Sequence, residues 1–250
     1  MLKARVIPCL LLSGGGLYKT VKFASPKYVG DPVNAVKIFN EKEVDELLLF
    51  DINAAKEGRG PNFALIEDIA SECFMPLSYG GGISSVEHIR RLHRIGVEKV
   101  SLNSAAFSNR QLVRNACDMF GSSSIIGAMD VKRNFFGKHE VWIKGGKVNT
   151  KTDPVSYAIE LEALGVGEIL VNSIDRDGTM AGYDIPLLKS ISDAVGSPVI
   201  GCGGAGSLQH LKQAVNEASV SAVAAGSLFV FHGKHKAVLI SYPYGGEITL

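Results

Sequence analysis

The sequence carries no marked excess of either charge. Its 26 Lys and Arg stand against 25 Asp and Glu, a formal net charge of +1, which leaves no basic footprint of the kind nucleic acid requires. No apolar run approaches the roughly 20 residues of a membrane span, and the N-terminus shows no signal-peptide pattern, so a cytoplasmic protein is expected. Cysteine is scarce. Cys9, Cys73, Cys117 and Cys202 have no CxxC spacing and lie in or beside apolar segments. That pattern reads as buried free thiols rather than a metal cluster or a disulfide framework, and no metal or cofactor is implied. A Pro/Ser-rich linker is also lacking, which favours one domain over residues 1–250.

What is present is a repeat. SPVIGCGGAGSLQHLKQAV (197–215) reads as a short strand, a glycine-rich turn and a helix. MPLSYGGGISSVEHIRRL (75–92) has the same form: Pro76, Gly81, Gly82, Ser85 and His88 match Pro198, Gly203, Gly204, Ser207 and His210, each pair 122 residues apart. ELLLFD (46–51) falls on EILVNS (168–173) in the same register, Gly60 on Gly182, and EKVSLNS (98–104) on VSAVAAG (220–226). A repeat of half the chain implies two half-units, about 1–122 and 123–240. With 250 residues, 46% hydrophobic and 20% charged, the chain is long enough for one large closed core built from both.

RVIPCLLL (5–12) is a strand buried on both faces, followed by a glycine-rich basic loop over Ser13–Gly30 that contains Lys19 and Lys22. Asp31 caps a helix over Pro32–Glu43. Strands over Glu46–Phe50, Pro76–Tyr79, Lys99–Leu102, Ser124–Met129, Glu168–Asn172, Pro198–Ile200 and Ser221–Ala225 then alternate with helices over Phe63–Ser71, Ser85–Ile95, Arg110–Phe120, Pro154–Leu164, Ile185–Val195 and Leu208–Asn216. Eight β/α units predict an α/β fold, a (β/α)8 TIM barrel; a doubly wound open sheet would give no reason for a two-fold repeat. His139–Thr150 predicts a hairpin with Gly145-Gly146 as a two-residue turn. Ser241–Leu250 has no helical period, so the eighth helix is short or absent.

Barrels of this kind place their chemistry on the loops after the strands. Two candidate phosphate cradles follow: Gly81, Gly82, Asn103 and Ser104 in one half, and Asp177, Gly178, Gly203, Gly204, Gly226 and Ser227 in the other. Backbone N–H groups at helix starts supply donors, and glycine lets the backbone approach an anion closely. The alternative is that these glycines only make tight turns. A long substrate with a phosphate at each end suits two cradles on one barrel face.

These motifs (RVIPCL, GDPV at 30–33, DELLLFDI at 45–52, YGGGI at 79–83, GEILVNSIDRDGTMAGYD at 167–184 and GCGGAG at 201–206) resemble the cyclase subunit of imidazole glycerol phosphate synthase over residues 1 to about 230. The resemblance implies a barrel that takes ammonia from a separate glutaminase subunit and uses it on a doubly phosphorylated substrate, with an aspartate at the ends of strands one and five. Asp130 stands at the end of strand five, as catalytic group or as a structural hydrogen-bond partner. At the end of strand one this chain has Leu11, which cannot transfer a proton. The same resemblance makes Arg5, Glu46, Lys99 and Glu168 an ammonia gate at the barrel bottom, and Glu98 a contact for the glutaminase; a salt-bridge plug is the alternative role for the four charges.

Retention of the gate beside loss of the carboxylate implies a cyclase-like barrel that docks a glutaminase and passes ammonia onward. This resembles the second-copy cyclase-like proteins of bacterial surface-polysaccharide pathways, in which a third protein, an amidotransferase, receives the ammonia and makes an acetamidino sugar. A working cyclase using Asp51 with Asp130, and a non-catalytic scaffold for the glutaminase, are the other readings.

Overall fold

The computed structural model describes residues 4–243. In chain order its elements are β1 (Arg5–Ser13), β2 (Gly16–Val21), β3 (Ala24–Gly30), α1 (Pro32–Glu41), β4 (Leu47–Asp51), α2 (Phe63–Ser71), β5 (Leu77–Gly80), α3 (Val86–Arg94) and β6 (Lys99–Leu102). Next come α4 (Ser104–Ser108), α5 (Arg110–Phe120), β7 (Ile125–Arg133), β8 (His139–Ile143), β9 (Val148–Asn149), α6 (Pro154–Ala163), β10 (Glu168–Ser173) and α7 (Ile185–Ser192). The chain continues with β11 (Val199–Cys202), α8 (Leu208–Ala218), β12 (Ala222–Ala225), α9 (Ser227–Val230), β13 (Phe231–His232) and β14 (Ala237–Val238).

Eight of these strands close on themselves in the order β1, β4, β5, β6, β7, β10, β11, β12 and back to β1, every pairing parallel. The result is the (β/α)8 barrel expected from the alternation of apolar runs and helical segments. β4 shows why such strands read as unbroken hydrophobic runs: Leu47 and Leu49 face the helices, while Leu48 points into the barrel interior. That interior holds Ile7, Cys9, Leu48, Ile126, Ala128, Leu170, Ile200, Cys202, Ala222 and Ala224. Truncating a wholly buried residue such as Leu48 to alanine costs about 2–5 kcal/mol.

Polar side chains fix the helix starts. Asp31, Asn62, Ser85, Asn109, Asp153, Asp184 and Ser207 each accept a backbone N–H of the first turn, and so cap α1, α2, α3, α5, α6, α7 and α8. α4 and α9 begin without a side-chain cap.

Two expectations need correction, and a third, a short eighth helix, holds. Ser13–Gly30 is not a loop but a long hairpin, with β2 antiparallel to β1 and β3 antiparallel to β2. The tight two-residue turn falls at Gly14-Gly15, between Ser13 and Gly16, where φ values of 56° and 86° suit glycine. At 139–150 a hairpin does form, but Ile143 pairs with Val148, so its turn takes four residues, 144–147, rather than two. The eighth unit has a helix of 4 residues, α9, followed by the small β13–β14 hairpin. Of Ser241–Leu250, positions 244–250 lie outside the described residues.

Candidate active site

The strand ends that follow β1, β4, β5, β6, β7, β10, β11 and β12 surround one cavity of about 430 Å³. Asp130, Leu11 and every residue of both candidate cradles line it: Gly81, Gly82, Asn103 and Ser104, with Asp177, Gly178, Gly203, Gly204, Gly226 and Ser227. The topology accounts for this convergence, since all eight strands run the same way and end on one face.

The two glycine turns are built alike. A Cβ on Gly81 would collide with the carbonyl of Asp51, and one on Gly203 would come within 2.7 Å of the carbonyl of Ser173. Gly82 would meet the carbonyl of Arg59, and Gly204 that of Gly182. All four glycines have left-handed φ, between 70° and 119°. Glycine is required here both by φ and by the close approach of the neighbouring loop. Beyond them, the first N–H groups of α4 and α9 have no side-chain cap. Asn103, the residue in the cap position of α4, sends its side chain elsewhere.

That destination is Asp130. Asn103 Nδ2 donates to its Oδ2 at 2.9 Å, and Asn172 Nδ2 donates to its Oδ1 at 3.2 Å. Strand register makes the second contact, since Asn172 on β10 sits beside Asp130 on β7. Burial raises the carboxyl pKa to about 7, against the lowering effect of the two amide donors and of Lys56; Asp177 adds to the rise. A group poised there exchanges protons near neutral pH. Asn172 Oδ1 is buried without a partner. On β1, Leu11 presents an isobutyl group to the same cavity, in register with Phe50 of β4.

Asp51, also on the cavity wall, spends its carboxylate on its own loop. Oδ1 accepts from Asn53 N at 3.0 Å and Ala54 N at 2.9 Å, and Oδ2 faces Arg59 at 3.4 Å. Asp177 is engaged too: Oδ2 accepts from Thr20 Oγ1 at 3.0 Å, and its carbonyl accepts from Lys22 N at 2.9 Å. Gly178 lies so close to the Thr20 carbonyl that no side chain would fit. Asp177 and Gly178 therefore seat the β2–β3 hairpin. Ser104 Oγ likewise accepts from Lys144 N, at 2.9 Å, and so meets the other hairpin.

Sequence reasoning did not place Lys19, Lys56 or Asn172 in the site. Lys19 is 95% buried and lays its Nζ against Gly226. Lys56 reaches from the β4–α2 loop to Gly145, and burial lowers its pKa, with Lys147 adding to the shift. Asn172 could have been found by counting strand ends; the two lysines depend on loop geometry that no local pattern shows. Cys9 and Cys202 both reach the cavity wall, and all four cysteines are free thiols.

At the opposite end of the barrel, Arg5, Glu46, Lys99 and Glu168 form a closed ring of charge. Arg5 binds Glu46 at 2.5 Å and also binds Glu168; Lys99 binds Glu46 at 3.2 Å and Glu168 at 3.3 Å. Glu46 is 2% exposed, and Ser78 Oγ donates to it at 2.8 Å. Glu98 is exposed on the same face. Among the described residues no cluster of His, Cys, Asp and Glu could hold a metal ion, and no helix is long and apolar enough to cross a membrane.

The molecule is thus a closed (β/α)8 barrel with paired glycine turns around a strand-end carboxylate at one mouth and an ion-paired ring of charge at the other. The chain belongs to the family described as "Histidine biosynthesis protein", whose model matches residues 5–236. It is 55% identical, over 97% of both chains, to a Pseudomonas aeruginosa protein provisionally named imidazole glycerol phosphate synthase subunit hisF2. Proteins with similarly provisional names in Leptospira borgpetersenii (HisF; 48% identical over 99% of this chain and 98% of that one) and Vibrio vulnificus (hisF3; 48% over 99% and 95%) are also similar.

Proposed function

We propose that this chain is a cyclase-like barrel that pairs with a glutaminase subunit and carries ammonia through its interior to an acceptor, without forming an imidazole itself. The acceptor reaction we favour is amidino-group formation on a nucleotide sugar for surface polysaccharide, carried out in the cytoplasm with a third, amidotransferase protein. The observation that carries this reading is the contrast between the two ends of the barrel. The ring of Arg5, Glu46, Lys99 and Glu168 is complete and ion-paired, while Leu11 stands at the strand end where the resembling cyclases have a carboxylate.

Between the two lies an interior that mixes the small side chains of Ala128, Ala222 and Ala224 with the larger ones of Ile7, Leu48, Ile126, Leu170 and Ile200, while Ser78 and Ser101 are also buried. Ammonia is small, neutral and able to hydrogen-bond a hydroxyl, so such a lining suits it. The paired glycine turns support a phosphorylated ligand at the upper mouth. Glu98, exposed beside the ring, is our candidate contact for the glutaminase, and the repeated cradles fit an origin by duplication of a half-barrel.

The relatives' names, together with Asp130 held near a pKa of 7, favour a second reading: a working cyclase subunit. Asp51 is a poor replacement for the lost carboxylate because its oxygens are engaged by its own loop. General acid–base catalysis contributes about 10²–10⁴-fold per group, so purified chain given the cyclase substrate and ammonium is expected to show no imidazole product above background. A rate within about tenfold of an ordinary cyclase, a barrier difference of about 1.4 kcal/mol, would sink our reading in favour of the second. Rescue of a histidine auxotroph would do the same.

A further inference from the structure

The geometry points to Cys9 as a peroxide-reactive thiol on the cavity wall, activated by the thiol of Cys202 and the ammonium of Lys19. This chemistry needs neither the ammonia route nor a phosphorylated ligand.

Strand order brings the two cysteines together. Cys9 on β1 and Cys202 on β11 both belong to the barrel interior, and β12 runs between their strands. In a barrel of this kind, alternate strands supply the side chains of one interior layer. β12 itself contributes only alanines to that interior, Ala222 and Ala224, and Ala224 is in register with Cys202 on one side and Ile7 on the other. A methyl group there leaves the two thiols room to meet across it, and a bulkier residue would part them. Both cysteines line the cavity, so a molecule as small as hydrogen peroxide reaches them from the upper mouth.

Lys19 completes the cluster. It is 5% exposed, and among the described residues its ammonium has neither an ion pair nor a side-chain hydrogen bond. A buried ammonium without a counter-ion is costly, so an anion beside it is favoured. A Cβ on Gly226 would collide with Lys19 Nζ and come within 2.9 Å of the Cys9 carbonyl, which sets the lysine beside β1 at Cys9. Asp177 faces the same cluster, with its Oδ2 engaged by Thr20 Oγ1.

The thiols differ in consequence. Cys202, donating to the Cys9 sulfur, holds that thiol below its usual range; burial and Asp177 oppose the shift, and Lys19 adds to it. Cys202 is pushed well up, as the proton donor of the pair. Burial pushes both Cys73 and Cys117 up to about 11. Exposure alone would rank them otherwise, since Cys9 is buried and Cys73 only half-buried.

The step balances with peroxide as the oxidant. The Cys9 thiolate attacks one peroxide oxygen, an S–O bond forms as the O–O bond breaks, and the departing hydroxide takes a proton from Lys19 and leaves as water. Sulfur is oxidised to a sulfenic acid, and Lys19 regains its proton from solvent.

Peptide mass spectrometry of the full chain tests this, with dilute hydrogen peroxide as oxidant and dimedone to trap sulfenic acid. Cys202→Ser is the reference, because it keeps a donor and removes the second thiol that could capture the product. In it, Cys9 should be labelled about tenfold faster than Cys73 or Cys117, since the thiolate is the reacting form. Cys202→Ala, which has no donor, and Cys202→Ser combined with Lys19→Met, which lacks the charge, should each label Cys9 about fivefold more slowly than the reference. If one of these fails to fold, the other decides. Labelling led by Cys73 or Cys117, no adduct at Cys9, or an unchanged Cys9 rate in the folded variants would overturn the inference.

Discussion

Asp130 shows how one residue can be held for proton exchange by its surroundings alone. Burial favours its neutral form, while the Asn103 and Asn172 amides and Lys56 favour the anion, and the balance leaves a pKa of about 7. The sign for stability follows directly. In the unfolded chain this group ionises near pH 3.9, so between about pH 4 and 7 the native state binds the extra proton. Asp130 therefore destabilises the fold progressively as pH rises through that window, and fully above it. Asp130→Asn, neutral at every pH, should melt higher than wild type at pH 8 and equal to it near pH 4. Asn172 can turn its amide to suit the new side chain, since its Oδ1 has no partner to lose. Melting curves at the two pH values check this; equal melting temperatures at both would mean that the carboxyl is ionised without cost.

At the scale of elements, the β2–β3 hairpin matters most for the cavity, because it carries Lys19 into the site and Thr20 onto Asp177. Its seat is Gly178, packed against the Thr20 carbonyl. Gly178→Ala should force the two apart, costing about 1–3 kcal/mol as overpacking does, and the hairpin should become cleavable by protease near Lys22 while the barrel stays intact. An unchanged digestion pattern would show that the hairpin is held by β1 pairing alone.

This hairpin is also where sequence reading was weakest. The barrel strands were legible because each is buried on both faces and appears as an apolar run, as Leu47, Leu48 and Leu49 do. β2 mixes Tyr18, Lys19 and Thr20 after three glycines, and its burial depends on contacts with residues near 177 that no local pattern reveals. The same holds for Lys56, whose place is set by a turn 89 residues later, at Gly145. Asp130 and the glycines were readable because a strand end has a fixed place on a barrel. Their hydrogen-bond partners were not, since those come from register between different strands.

For the whole molecule, the charged ring and the cavity lie at opposite ends of the same eight strands. Lys99 is the member of the ring with the freest stem, an ammonium on four carbons. Lys99→Met leaves Glu46 and Glu168 facing each other with only Arg5 to bridge them. The fold and the glutaminase complex should persist, while the ratio of ammonia transferred to ammonia released falls at least severalfold. Measuring that ratio in the assembled complex tests it: an intact complex with an unchanged ratio would make the ring a plug and send ammonia by another route.

The closure of the barrel has a thermodynamic consequence. A partner on the ring face and a ligand in the upper cavity cannot obstruct each other, so neither excludes the other from the chain. Any factor by which a cavity ligand tightens the partner must then be returned in full as the factor by which the partner tightens the ligand. With direct contact ruled out by distance, such coupling would have to run along the strands themselves. A single pair of titrations, partner with and without ligand, would measure how rigidly the barrel joins its two ends.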